Sequence, residues 1–242
     1  MGQEKQIHNI TKNRIAVKEL FEVAWLDFMR RKGVKIEEKI KLYNRVDKEG
    51  YLIFLIMIKD HSIVQEIMRV QERLAKFPCA NIVLADRLHI TIREVGYLSR
   101  RKETQNNITW DLVPDIISRA SRIFTDTESF TVGIGRINSF PNAIFLEVED
   151  NGELFGLHKR LRKALPTITF SKKEKCIFLP HISVTTFKSN RKFHELKEAI
   201  ADMKRMKKSM RKLKVEIVEL VKIDDRRWPS FQVVEQFRLG EV

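Results

Sequence analysis

Two short stretches of the chain share one alternation of apolar and polar side chains. His89 and Thr91 alternate with apolar residues over 88–92, and His181 and Ser183 do the same over 180–184. Because side chains alternate across a β-strand, each stretch predicts a strand with an imidazole and a hydroxyl on one face. A single histidine of this kind is typical of a buried structural residue. The second copy instead indicates a paired site.

The first histidine stretch follows a strand and a helix. The apolar run over 51–58 is typical of a strand that is buried on both faces. Asp60 and Ser62, with Gln65 as the third residue after Ser62, predict a helix that starts with a capping box. The predicted order is therefore strand, helix and histidine strand.

The second histidine stretch follows elements of the same kind. Alternation over 130–148 predicts a hairpin, and leucines at helical spacing predict a helix that starts near Gly152. Asp60 precedes His89 by 29 residues, and Gly152 precedes His181 by 29 residues. The chain therefore contains an internal duplication, and a pseudo-two-fold axis between the two units would bring both histidine and hydroxyl pairs together.

The N-terminal segment is predicted to be an addition to this duplicated region. Apolar residues at helical spacing predict one helix over 17–33, and a shorter helix is predicted over 36–44. We therefore expect residues 1–49 to form a helical extension and residues 50–242 to form the main domain.

The chain is strongly basic, with 242 residues, a formal net charge of +14 and a pI near 9.8. This charge indicates an anionic partner, with nucleic acid as the first candidate. A lysine-rich habit of the source proteome is the alternative explanation. A predicted helix over 193–210 with a basic outer face and a basic loop over 99–110 are candidate phosphate contacts, although solvated surfaces of this kind are common.

No part of the sequence predicts a secretion signal or a membrane span. The first 18 residues are charged and polar, and no apolar run reaches about 18 residues. Cys79 and Cys176 are too few for a disulfide framework or a zinc cluster, so we expect both to be reduced and structural. The expectation is a soluble, cytoplasmic monomer without a metal or another cofactor.

The paired H-x-[ST]-x motifs resemble those of the two-histidine (2H) phosphoesterase superfamily, and within it the RNA 2′,3′-cyclic phosphodiesterases, also described as RNA 2′-5′ ligases. The resemblance covers about residues 51–239. It implies an α/β (α+β) fold with two pseudo-symmetric lobes, each with an antiparallel sheet, around a central cleft. It also implies metal-independent chemistry on cyclic phosphates or RNA ends. Close relatives often carry an arginine five residues after the second histidine, where this chain has Thr186.

The resemblance implies catalytic roles for His89, Thr91, His181 and Ser183, and these residue types suit the reaction. One imidazole can take a proton from water while the other protonates the departing sugar oxygen. By analogy, His181 is the expected base and His89 the expected acid. Thr91 and Ser183 can donate hydrogen bonds to the non-bridging oxygens, where negative charge increases in the transition state.

Five further residues are candidates for binding the substrate. If the first histidine strand continues, Arg93 shares the face of His89 and could replace the missing arginine as a phosphate clamp. Tyr97, Phe187, Trp228 and Phe231 could stack on a base, although a single aromatic residue is more often part of a core.

Three hypotheses about function follow. The first is a phosphodiesterase that opens the 2′,3′-cyclic phosphate of RNA or of a nucleotide, with a 3′-end-trimming exoribonuclease or a 2′-5′ RNA ligase as variants. The second is an RNA-binding module without turnover. The third is a metal site of His89, His181 and Cys176, whose spacing matches no familiar ligand pattern. The intact paired motifs favour the enzyme.

Overall fold

The computed structural model describes six segments of the chain, namely residues 17–34, 48–100, 107–165, 178–206, 211–223 and 230–241. The helix predicted over 36–44, Cys176 and Trp228 lie outside these segments.

The described segments alternate strands with helices. In chain order they are α1 (17–30), β1 (Lys48–Met57), α2 (His61–Ala75), β2 (Ala80–Ile82), β3 (His89–Ser99), β4 (Asn107–Ile108), α3 (Val113–Thr125), β5 (Phe130–Ser139), β6 (Ala143–Glu149), α4 (Glu153–Ala164), β7 (His181–Phe187), α5 (Phe193–Arg205), β8 (Arg211–Val215), β9 (Ile217–Ile223) and β10 (Phe231–Arg238). The predicted order of strand, helix and histidine strand is confirmed in both units.

The strands form one curled sheet, which is antiparallel along its main path. The strand order is β10-β9-β1-β3-β7-β6-β5-β8, with β2 paired to β7 and β4 paired to β3. We call β10, β9, β1 and β3 lobe 1, and β7, β6, β5 and β8 lobe 2. The two histidine strands meet at the centre, where Ile90 pairs with Ile182. The predicted α+β fold with two pseudo-symmetric lobes is therefore confirmed, with both lobes in one sheet.

In each duplicated unit, the first helix packs on strands of the other lobe. Helix α2 follows β1 of lobe 1 but packs against β2 and β7, whereas α4 follows β6 of lobe 2 but packs against β3 and α3. The apolar sides of these helices bury the main core together with Ile90, Ile92, Ile182 and Val184, none of which is exposed. Burial of each such side chain contributes about 1.5 to 3 kcal/mol.

Helix α2 begins differently from the prediction. Asp60 is the N-cap residue, and its Oδ1 accepts hydrogen bonds from the Ile63 amide at 3.0 Å and from the Ser62 hydroxyl at 2.6 Å. The predicted capping box of Ser62 and Gln65 is wrong, because the aspartate one residue before the helix satisfies the first amide groups itself.

The helix predicted over 193–210 is shorter than expected. Helix α5 ends at Arg205, and Arg211 already begins the edge strand β8, which pairs with β5. Charged side chains are typical of edge strands, where they discourage pairing with other chains. The basic pattern of residues 211–214 therefore indicates a strand edge rather than a continued helix. Within the described segments, no helix is long and apolar enough to cross a membrane.

Candidate active site

The two predicted histidine and hydroxyl pairs lie side by side at the centre of the sheet. Ile90 and Ile182 are paired across antiparallel strands and fully buried, so the residues that flank them project from the opposite face. His89 and Thr91 flank Ile90, His181 and Ser183 flank Ile182, and all four are half-buried. We call the face of these four residues the histidine face, and the opposite one the helix face. Antiparallel pairing sets His89 beside Ser183 and Thr91 beside His181.

Both imidazoles are oriented by the same backbone contact. Nδ1 of His89 lies 2.7 Å from the carbonyl oxygen of Arg87, and Nδ1 of His181 lies 2.7 Å from that of Leu179. A carbonyl oxygen only accepts, so Nδ1 carries the proton in each ring. Nε2 is therefore the basic nitrogen of each neutral imidazole. The arrangement suits two groups that exchange protons with the same bound molecule.

Aromatic side chains hold each ring edge-on, but the two surroundings differ. His89 packs against Phe231, with ring centres 5.3 Å apart. His181 packs against both Phe140 and Phe145, at 4.8 and 5.3 Å. Burial lowers the pKa of His89, and the bond to Arg87 opposes this shift more weakly. The neutral form of His89 is therefore favoured near neutral pH.

A β-bulge follows the hydroxyl residue in both strands. On β3, Thr91 pairs with Leu55 and Arg93 pairs with Phe54, so Ile92 is the extra residue. On β7, Ser183 pairs with Phe145 and Thr185 pairs with Ile144, so Val184 is the extra residue. A bulge interrupts the alternation of side chains between the two faces.

The bulge on β3 changes the position of Arg93. Its partner Phe54 belongs to the core on the helix face, and the Arg93 charge acts on His158 of helix α4. The expectation that Arg93 shares the face of His89 and Thr91 is therefore wrong. Glu94 instead lies opposite Ile53, whose side chain is on the histidine face.

Of the predicted aromatic contacts, Phe231 packs on His89, whereas Phe187 and Tyr97 are not beside the histidines. Phe187 follows the bulge on β7 and is buried in the main core, where its ring meets Phe193 at 6.0 Å. Tyr97 lies on the histidine face but is 9% exposed and packs on Tyr51 at 5.0 Å. It is eight residues from His89 along β3, which corresponds to roughly 25 Å. These positions do not support stacking of either ring on a base.

Helix α1 covers part of the histidine face of lobe 2, which the sequence did not indicate. Phe21 packs on Phe145, the ring that contacts His181, and its carbonyl oxygen accepts a hydrogen bond from Asn138 at 2.8 Å. The same Asn138 amide donates to Glu147, which is 1% exposed and pairs with His181 across the strands. Helix α1 therefore packs beside the second histidine.

Several basic residues serve the fold rather than an open surface. Lys204 donates to Glu147 at 3.0 Å and lies over the ring of Trp25 at 4.5 Å. Lys197 donates to two carbonyl groups at the end of α1. These two positions of the predicted basic helix are therefore used by internal contacts. Arg100 of the predicted basic loop pairs with Glu49 but remains 84% exposed.

A cavity of about 330 Å³ lies on the helix face of lobe 2, away from the histidines. Helices α2 and α5 and strand β5 form its walls. The lining is mostly apolar, with Arg69, Arg73, Arg136 and Arg211 among the polar residues. The cavity and the paired histidines are therefore separate features of the chain.

Comparison with known families identifies this arrangement as that of the phosphoesterases and RNA ligases with two histidine motifs. A model of the 2′-5′ RNA ligase superfamily matches residues 59–227. The chain belongs to this superfamily. No match was found among curated protein sequences.

Solved structures with the same fold align with most of this chain. TT0787 of Thermus thermophilus is 17% identical over 79% of this chain and 98% of its own, with a TM-score of 0.56. LigT of E. coli in complex with NADP+ is 17% identical over 79% of this chain and 99% of its own, with a TM-score of 0.53. LigT in complex with 3′-AMP is 15% identical over 79% and 99%, with a TM-score of 0.56. These likenesses establish the fold.

Proposed function

We propose that this protein is a phosphodiesterase that opens 2′,3′-cyclic phosphates at RNA ends without a metal ion. One observation carries the proposal: the two histidine and hydroxyl pairs flank one cross-strand pair, with Nδ1 of each ring held by a backbone carbonyl. Two imidazoles held in this way can act as a base on one side of a phosphorus atom and as an acid on the other side. Membership of the 2′-5′ RNA ligase superfamily supports the same chemistry.

The proposed reaction needs one base and one acid. The base takes a proton from water, the water oxygen bonds to phosphorus, and the bond between phosphorus and one sugar oxygen breaks. The acid then protonates that sugar oxygen. Burial lowers the pKa of His89 and so favours the neutral form that a base needs. On this ground alone we propose His89 as the base, which leaves the role of acid to His181 and reverses the expectation by analogy. Thr91 and Ser183 donate to the non-bridging oxygens.

RNA is the proposed substrate because of the net charge of this chain and its similarity to proteins that bind nucleotides. The net charge of +14 favours a polyanion, and LigT of E. coli, which shares the fold, was solved with ATP, NADP+ and 3′-AMP. We therefore expect RNA affinity to fall with rising salt. The superfamily description also favours ligation, in which a 5′-hydroxyl replaces water in the same site.

The test is incubation with a short RNA that ends in a 2′,3′-cyclic phosphate, with a chelator present and with or without an acceptor bearing a 5′-hydroxyl. Chromatography should show a phosphomonoester end without the acceptor and a joined product with it. The double variant His89→Ala/His181→Ala is the control and should lose most of the turnover. If only a metal-supplemented reaction turns over, the metal-free mechanism is excluded. RNA binding without any turnover would identify a binding module.

The assignment of acid and base is tested with a second substrate. A 4-nitrophenyl phosphodiester has a leaving group that needs no protonation, so it bypasses the acid. His181→Ala should retain much more activity on this ester, relative to the parent, than on the cyclic phosphate. His89→Ala should be impaired on both. The opposite pattern would restore the assignment made by analogy.

A further inference from the structure

The bulges on β3 and β7 occur at equivalent positions in the duplicated units. Ile92 and Val184 are each the third residue after the histidine, and each directly follows the hydroxyl residue. A bulge takes its extra residue out of the regular ladder, and a buried carbonyl group without a partner is costly. Both bulges therefore need hydrogen-bond donors from elsewhere in the chain.

In both lobes one such donor is a side chain of the exchanged helix, and in lobe 2 the Val83 amide also donates to the bulge carbonyl, at 3.1 Å. Nδ1 of His158 on α4 lies 2.8 Å from the carbonyl oxygen of Ile92, and Nε2 of Gln71 on α2 lies 2.9 Å from that of Val184. The two donors differ chemically and do not occupy equivalent positions in their helices. Their acceptors are equivalent, which indicates that the bulge carbonyl is the group that must be held.

Further contacts hold both donors in place. The Gln71 amide also donates to the carbonyl of Val83 at 2.7 Å, so both of its protons are used, and the side chain is 5% exposed. His158 stacks on Phe178, with ring centres 4.4 Å apart and planes 12° apart. Since each donor has a fixed place, each bulge has one geometry.

We propose that His158 and Gln71 are positioning residues that fix the two bulges and thereby aim the hydroxyl groups of Thr91 and Ser183 at the bound phosphate. The proposal rests on the proposed function. Each donor acts on the hydroxyl of one lobe only: His158 positions Thr91, and Gln71 positions Ser183. A general loss of stability would affect the contributions of both hydroxyl groups to turnover. An effect on one hydroxyl group only therefore separates a positioning role from a structural role.

The test is a set of double-mutant cycles on turnover of the cyclic phosphate. His158→Leu should lower kcat by up to about 10²-fold with little change in KM, because a small misplacement of a catalytic group has effects of this size. In a Thr91→Ala background the same substitution should cost much less, since the hydroxyl it positions is gone. In a Ser183→Ala background it should keep its full cost. Gln71→Met should show the reverse selectivity with a smaller cost, because the Val83 amide still donates to the Val184 carbonyl.

The rescue variant is His158→Asn, because an asparagine amide can supply a donor where Nδ1 of histidine lies. It should recover most of the kcat lost in His158→Leu. Equal costs in both alanine backgrounds, or no recovery with asparagine, would overturn the proposal. If the parent shows no turnover, the proposed function fails separately. In that case, NMR chemical shifts of the backbone amides test the positioning role directly. His158→Leu should change the shifts of residues 91–94 and not those of residues 183–186, and any other pattern overturns the positioning role.

Discussion

The two lobes repeat the backbone of the site but not the side chains around it. In both lobes a ring nitrogen is held by the carbonyl two residues earlier, and a bulge follows the hydroxyl residue. On the histidine face, each lobe has a buried glutamate, but their surroundings differ. In lobe 1, Glu219 lies opposite Leu55 beside an apolar cluster with Tyr51 and Tyr97, and it pairs with an exposed lysine. In lobe 2, Glu147 pairs with a buried lysine beneath helix α1. The backbone geometry of the candidate site is therefore duplicated, while its surroundings have diverged.

The largest expected effect tests whether the two histidines act as one unit. His89→Ala and His181→Ala should each lower turnover by about 10²- to 10⁴-fold, because each removes one proton transfer. The double variant should lose far less than the product of the two, since both groups act on one transition state. Single-turnover rates with the cyclic phosphate measure this. Multiplicative losses would indicate two independent sites.

The next effect tests the difference between the two histidine faces. Lys204 and Glu147 form a buried ion pair, with side chains 8% and 1% exposed, whereas Lys59, which pairs with the buried Glu219 of lobe 1, is 66% exposed. Lys204→Met should lower the free energy of unfolding by about 3 kcal/mol, the lower end for a broken buried pair, because the buried carboxylate keeps only the Asn138 amide and the half-exposed Arg136.

The matched control is Lys59→Met, which should cost less than Lys204→Met, because water can replace the exposed ammonium group and Gln236 still donates to Glu219 at 2.8 Å. Urea denaturation measures both variants. Equal costs would mean that burial beneath α1 does not set the importance of the lobe 2 pair.

The third effect compares the two hydroxyl groups. Thr91→Ala and Ser183→Ala should each lower kcat by up to about 10²- to 10³-fold, the range for loss of one oxyanion-hole donor. Thr91→Ser and Ser183→Thr retain the hydroxyl and should stay close to the parent. RNA affinity, measured by fluorescence anisotropy, should change little in all four variants, because phosphate contacts from basic residues dominate it. A large loss of affinity would instead assign the hydroxyls to ground-state binding.

The smallest effect concerns pH and lobe 1, where burial lowers the pKa of both His89 and His158. The unfolded chain then binds more protons below about pH 6.5, so the free energy of unfolding should fall as the pH drops from there through the folded-state values. His158→Asn should reduce this slope, because it removes one of the two groups. Urea denaturation between about pH 5 and pH 7.5 checks this. An unchanged slope in His158→Asn would contradict it.

The sequence was sufficient to predict the duplication, the order of elements and the four central residues. Alternation predicts that His89 shares a face with Thr91 and that His181 shares a face with Ser183. Both predictions hold because each bulge comes after the hydroxyl residue. Arg93 was placed on the wrong face because a bulge leaves no signature in a run of alternating residues. The same local event puts Phe187 into the core.

Other features depend on long-range packing that no local pattern encodes. Gln71 and His158 look like ordinary helix residues, and only the folded chain brings them to carbonyl groups 113 and 66 residues away. Lys204 belongs to a basic helix face in the sequence, and only the folded chain shows that α1 covers it beside Glu147. A charged edge strand such as β8 also resembles a basic helix when its partner β5 is unknown.

The exchange of α2 and α4 between the lobes has a consequence for the ancestry of the chain. Neither half could bury its own sheet with its own first helix, because β2 pairs with β7 and α4 packs on β3. A half-length chain with this pattern would need a second copy, and the two copies would form a two-fold symmetric, domain-swapped dimer. The present sheet has the topology of such a dimer after gene fusion. A single linked chain would then have allowed each former subunit to acquire its own neighbours, including helix α1 on one side alone.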